Sequence, residues 1–287
     1  MHLFYSVVQH IPAEQYQPTA YTRSYSANSY LPLASTNLEI LTNAQVVKIN
    51  FANSGSKICA TGITLANGAV ICAQKEVTLS AGAVQTPNLL ELSGISNVSV
   101  LAAANITQLV NLASVGENYQ DHLRIQLPYQ LRDNYTPFDI LRHNTTVAAD
   151  VLGKWIAGRP SRCDYTTSGF LFVNWKQLVS KDGARKLVEL ARKVFRGVSA
   201  DIGRRKKLEQ LGDATVPQAE ITFSDGYTGV KGYPAVGIPL HGKGFFALID
   251  GLMHPLSRGS VHINPTAPTG KPAIDPRFLD NEYDLQK

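Results

Sequence analysis

The chain has 287 residues, 44% of them hydrophobic and 17% charged, an ordinary globular balance large enough for one big core or two domains. Its 22 Gly and 15 Pro argue for many turns and a sizeable β component rather than a helical bundle. A net charge of +5, without a stripe of Lys and Arg interleaved with aromatic residues, argues against a nucleic-acid partner, and no segment approaches the roughly eighteen apolar residues needed to span a membrane.

The opening residues, MHLFYSVVQHIPAEQ, lack the charged start and long apolar run of a signal peptide. Residues 38 to 79 read as a β-meander. NLEILTNAQVVKINF alternates and is rich in β-branched residues; ICATGITL follows, then the turn Ala66-Asn67-Gly68, then AVICAQKEVTLSAG. Cys59, Cys72 and Cys163 show no CxxC spacing, so neither a disulfide framework nor a zinc site is indicated. Cys59 and Cys72 fall on neighbouring strands, where two buried thiols are expected in preference to a bond.

The third strand of the meander runs into Ser80-Ala81-Gly82-Ala83, where there is almost no side chain to pack. Thr86 and Pro87 suit the cap and first position of a short helix that stops at Gly94. Sequons at Asn97, Asn105, Asn134 and Asn144 point to a secreted, extracellular protein. A domain boundary is expected near residue 122. Beyond it, residues 181 to 211 are basic and helix-periodic, with Leu187, Leu190, Ala191 and Val194 on one stripe. The expected reading is a solvated helix covering a sheet; the alternative is a docking or membrane-surface helix. AEITFSDG (219–226), GFFALIDGLMHP (244–255) and GSVHINP (259–265) read as a second strand-rich region.

No G-x-S-x-G elbow or Walker loop occurs, GKGFFA (242–247) lacks the third glycine of a dinucleotide fingerprint, and the seven histidines form no metal pair. The one chemical signal is the small-residue corner. Small residues at a strand end let main chain approach a ligand, and a helix N-terminus favours negative charge such as a pyrophosphate. Close helix–strand packing without a ligand explains the same pattern equally well.

Three stretches in order, RSYSANSYLPLASTNLEILTNAQVVKINF (23–51), VTLSAGAVQTPNLLELSGIS (77–96) and VGENYQDHL (115–123), resemble the glucose-methanol-choline family of FAD-dependent oxidoreductases, in its fungal aryl-alcohol-oxidase-like form. Ser96 departs from the family pattern, which usually has Gly there. HPLSRGSVHINPTAPTGKPAIDPRFLDNEYDLQ (254–286) also resembles a segment of the family's substrate domain, so His254 is given no catalytic role.

The resemblance implies an α/β (α+β) chain: residues 1–122 a partial FAD-binding domain, and 123–287 a substrate domain with an antiparallel sheet backed by helices. It implies FAD as cofactor and a small-molecule alcohol as substrate, with no nucleic-acid or membrane partner. Val46 matches the position whose backbone reads the adenine of FAD. Ala81 and Gly82 match the small pair beside the ADP half, and Asn118, Gln120, Asp121 and His122 the loop passing the flavin. In the family a hydride moves from the alcohol carbon to the flavin while a histidine takes the hydroxyl proton. The nucleotide-binding unit is expected before residue 1 and the catalytic histidine after residue 287, so this piece is expected to hold FAD weakly and not to turn over. The competing reading is a non-catalytic, secreted carbohydrate-binding module with Trp155, Trp175 and tyrosines as stacking platforms.

Overall fold

The computed structural model describes residues 25–164, 169–196 and 202–286, together with the backbone of the two short paired strands Tyr16–Gln17 and Thr22–Arg23. The chain forms two compact units. One joins residues 38–121 to residues 256–287; the other holds residues 122–255 and the described residues before 38.

In the first unit, strands Val46–Ser54, Lys57–Leu65 and Val70–Cys72 form an antiparallel sheet in that order. Alternating β-branched residues make the first two strands. Asn67 makes the second turn, its Oδ1 accepting the Ala69 N–H at 3.0 Å. At Gly62 a Cβ would stand 2.2 Å from the Ile71 carbonyl oxygen, so a glycine lets the third strand close.

The meander is shorter than its sequence suggests. Residues 38–45 form no strand, with a turn at 42–43, and leave Leu38, Ile40 and Leu41 exposed, and the third strand ends at Cys72. The thiols are exposed and unbonded, contrary to the expectation of burial. Cys59 lies at the far end of the hairpin, past the reach of the third strand, and Cys72 is the last residue of an edge strand.

The helix begins at Gly82 rather than Thr86 and runs to Leu92, with Pro87 inside it. Gly82 starts it with φ +80°, which glycine adopts without strain. The helix packs on strand Val46–Ser54, burying Leu89; Ile49 and Leu65 are buried in the same sheet. Strand Gly259–His262 pairs with both Glu117–Tyr119 and Ala273–Asp275. That pairing carries residues 256–287 back into this unit, so 123–287 is not one uninterrupted second unit.

The second unit is built on an antiparallel sheet in the order Gly169–Val173, Ala219–Asp225, Phe245–Leu252, Arg124–Gln130. Fully buried Asp139 ties loops to it by accepting the N–H groups of Tyr227 and Phe245, each at 2.9 Å. The basic segment forms helices Lys181–Val194 and Ile202–Gly212, which pack together; residues 197–201 lie outside the described residues. Of the expected stripe, Leu187 and Ala191 are buried and Leu190 and Val194 half-buried, so the apolar face turns inward.

Candidate functional site

Within the first unit a cavity of about 460 Å³ opens between the start of the first strand, the small-residue corner and the helix. Gln45, Val46 and Val47 form one wall, and the run from Thr78 to Ala81 another. Gln85, Asn88, Leu89 and Leu92 supply the helix face.

Three features leave this cavity with polar capacity to spare. The strand Val46–Ser54 is an edge of its sheet, and its register slips between Val46 and Lys48, leaving Val47 without a partner in the ladder. The helix has no side-chain hydrogen bond at its Ala81 cap and no acid in its first turn. Among the described residues no side chain accepts from its first N–H groups, and no acid of its own first turn compensates the end of the macrodipole. Asn88 is 3% exposed and its Nδ2 donates to Gln85 Oε1 at 3.0 Å, while its Oδ1 has no partner among the described residues. A buried acceptor left unmatched points to a missing donor. With Leu89, Leu92 and the two valines around these groups, the cavity suits a ligand with an apolar ring, hydrogen-bond donors and negative charge.

The site residues expected from sequence are divided by the structure. Val46 and Ala81 line this one cavity, and the corner from Ser80 to Ala83 is exposed rather than packed away. Gly82 starts the helix beside it without lining it, and a Cβ there would meet nothing within 4 Å; its φ, not crowding, calls for glycine. Asn118 lies on the exposed strand Glu117–Tyr119 at φ +61°, and does not line the cavity. His122 is exposed and opens the second unit. There it stands near His254, whose imidazole is held below its ordinary range by burial first, then by the positive charges of Lys207 and His122. Trp175 lies in the second unit and is buried, 6% exposed.

Sequence reasoning missed the anchor at the other end of the helix. Glu91, fully buried, accepts the Ile263 N–H at 2.7 Å and the Ser96 hydroxyl at 3.1 Å, and meets His262 Nδ1 at 2.6 Å. His262 Nε2 in turn reaches Glu117 at 3.2 Å. The signal was an acid inside the leucine run LLEL, with a serine five residues on, at Ser96, where the family pattern has glycine.

Residues 13–124 match the GMC oxidoreductase family model. Over 275 residues the chain is 30% identical to the GMC oxidoreductase family protein Mala s 12 of Malassezia sympodialis, an alignment covering 93% of this chain and 41% of that protein. Its fold is similar to an FAD-dependent oxidoreductase from Chaetomium thermophilum (TM-score 0.75) and to a fungal aryl-alcohol oxidase (TM-score 0.71). Each is 23% identical, with 94% of this chain and 46% of the other covered. The chain thus spans less than half the length of these proteins.

Proposed function

The chain belongs to the GMC oxidoreductase family through residues 13–124, and on that premise we propose that it supplies the nucleotide-side cavity of an FAD-dependent enzyme oxidising primary alcohols. The observation that carries the proposal is the shared cavity: Val46 and Ala81, matched to the adenine and ADP positions from separate stretches, line it together beside the unpartnered Asn88 Oδ1.

The residues present fit an FAD nucleotide. Main chain at Val47, left out of the ladder by the register slip beside Val46, offers amide groups to an adenine edge whatever the side chain. The side-chain-poor corner lets backbone lie against the ligand, and the uncapped helix start favours pyrophosphate charge. Asn88 Oδ1 accepts a ribose hydroxyl or the adenine amino group. Val46, Leu89 and Leu92 exclude water from the ring. FAD bound in this way would supply the hydride acceptor for oxidation of an alcohol carbon to a carbonyl. The likeness to an aryl-alcohol oxidase supports that substrate class. Because the chain spans under half of its solved neighbours, turnover is proposed for the whole protein and not for residues 1–287 by themselves.

Titration of the purified chain with ADP by calorimetry, and with FAD by quenching of flavin fluorescence, tests the reading. Saturable binding is expected, weakened about tenfold or more by Ala81→Trp, which fills the cavity from an exposed position. No binding at millimolar nucleotide, or an Ala81→Trp variant that binds as well as the parent, would refute it.

A further inference from the structure

The basic segment has no part in the cavity above. Residues 181–211 hold ten Lys and Arg against four Asp and Glu, a net +6 in a chain whose total is +5. The apolar stripe of helix Lys181–Val194 faces inward, so the segment is not a helix lying on a membrane by its apolar side. A groove of about 550 Å³ opens beside it instead, within the size range of small-ligand sites.

The floor of this groove is apolar: Trp175, Ala184 and Leu211, all buried, with Val188. Its rim is cationic. Lys181, Arg185 and Arg192 stand on one helix at spacings that bring them to one face, and Lys176 joins them from the short helix Trp175–Leu178. Two acids, Glu189 and Asp213, also line the groove. Asp213 is engaged elsewhere, its carboxylate accepting the Thr215 N–H at 2.8 Å and hydroxyl at 2.7 Å. The Arg185–Asp182 pair, 3.2 Å apart, is 69% and 80% exposed, a screened contact that leaves Arg185 able to turn to a ligand.

We propose that this groove binds a small amphipathic anion, its ring or short alkyl body on the Trp175–Val188–Leu211 floor and its carboxylate, sulfonate or phosphate head on Arg185 and Arg192. Apolar area supplies attraction without direction, and the two guanidinium groups supply direction through charge-assisted hydrogen bonds. Neither part involves the nucleotide cavity, so the proposal stands or falls independently of it.

Isothermal titration of the full chain with naphthalene-2-sulfonate and with its neutral isostere naphthalene-2-sulfonamide separates head from body. One saturable site is expected, with the sulfonate about tenfold tighter than the sulfonamide. Arg185→Gln with Arg192→Gln should remove that difference. Lys186→Gln with Lys193→Gln, which deletes equal charge from the same helix outside the groove, should change affinity less than about twofold. Equal affinity for the two probes overturns the proposal, as does equal loss in the two double variants, which would indicate a diffuse field. Binding confined to vesicles containing phosphatidylglycerol, with no sulfonate bound, overturns it too.

Discussion

Glu91→Ala tests what fixes the helix that borders the nucleotide cavity. In the native chain the carboxylate is fully buried and meets three groups: the Ile263 N–H, the Ser96 hydroxyl and His262 Nδ1. Truncation removes every acceptor at once. The Ser96 hydroxyl can rotate, and His262, 19% exposed, keeps Glu117 at 3.2 Å and some access to water. The Ile263 N–H has neither escape, being main chain of a residue 1% exposed. An orphaned buried donor costs about 1–3 kcal/mol. Losing the His262 and Ser96 contacts adds to this, and the Ala variant is expected to lose about 2–4 kcal/mol, as for other broken buried hydrogen-bond networks. Glu91→Gln keeps the volume and one carbonyl acceptor but turns an amide N–H₂ toward a donor, so about 1–2 kcal/mol is expected. Urea unfolding with an unchanged m-value measures both, and hydrogen exchange at the Ile263 amide locates the loss. An Ala variant within about 1 kcal/mol of the parent would refute the reasoning, because no mechanism of that kind leaves a buried amide orphaned so cheaply.

Other consequences follow from single contacts. Gly62→Ala drives a Cβ to 2.2 Å from the Ile71 carbonyl oxygen, and the Gly62–Cys72 pairing leaves that backbone no room to retreat. About 2–3 kcal/mol should be lost in thermal or urea unfolding, and a variant as stable as the parent would refute the close approach. His254 gives up its proton more readily folded than at its ordinary 6.5, so folding gains nothing from it above that pH. Stability should fall as pH drops below 6.5 through the lower folded value. His254→Gln should flatten that part of a melting-temperature profile taken from pH 8 to 5, and an unchanged slope counts against it. Secretion is tested by mass spectrometry of the chain made through a secretory pathway, with glycans expected at the exposed Asn105 and Asn134; bare asparagines at both would speak against it.

What the sequence revealed depended on how local the cause was. The hairpin around Asn67-Gly68 and the strands at 219–225, 245–252 and 259–262 were legible because alternation and turn chemistry act over a few residues. Residues 38–45 alternate just as well yet form no strand, since alternation cannot say whether a partner strand lies alongside. Strand Arg124–Gln130 was hidden by Pro128, which a central strand would exclude; it is tolerated here because this strand is an edge. Thr86-Pro87 looked like a helix start, but Gly82 starts the helix a turn earlier and tertiary packing carries it through the proline. Val46 and Ala81 were reached by resemblance, as strand statistics make Val46 an ordinary core residue. The Glu91–His262 contact joins residues 171 apart in the chain, beyond any local pattern.

The same helix carries both the cavity and the anchor, which gives the departure at Ser96 a physical meaning. Where the family pattern has glycine, this chain has a fully buried serine whose hydroxyl needs an acceptor, and Glu91 provides it. Glu91 also draws His262 and the Ile263 amide to the helix's last turn, while the first turn at Gly82 stays uncapped beside the cavity. An uncapped end can keep its position if the far end is held, because the helix between them moves as a stiff rod. Loosening the anchor should therefore weaken nucleotide binding without touching a lining residue. Glu91→Gln, the milder change, is expected to lower ADP affinity about threefold to tenfold while Val46, Ala81 and Asn88 remain intact. If ADP binds the Gln variant as tightly as the parent, the cavity is organised by its own walls and the anchor serves stability alone.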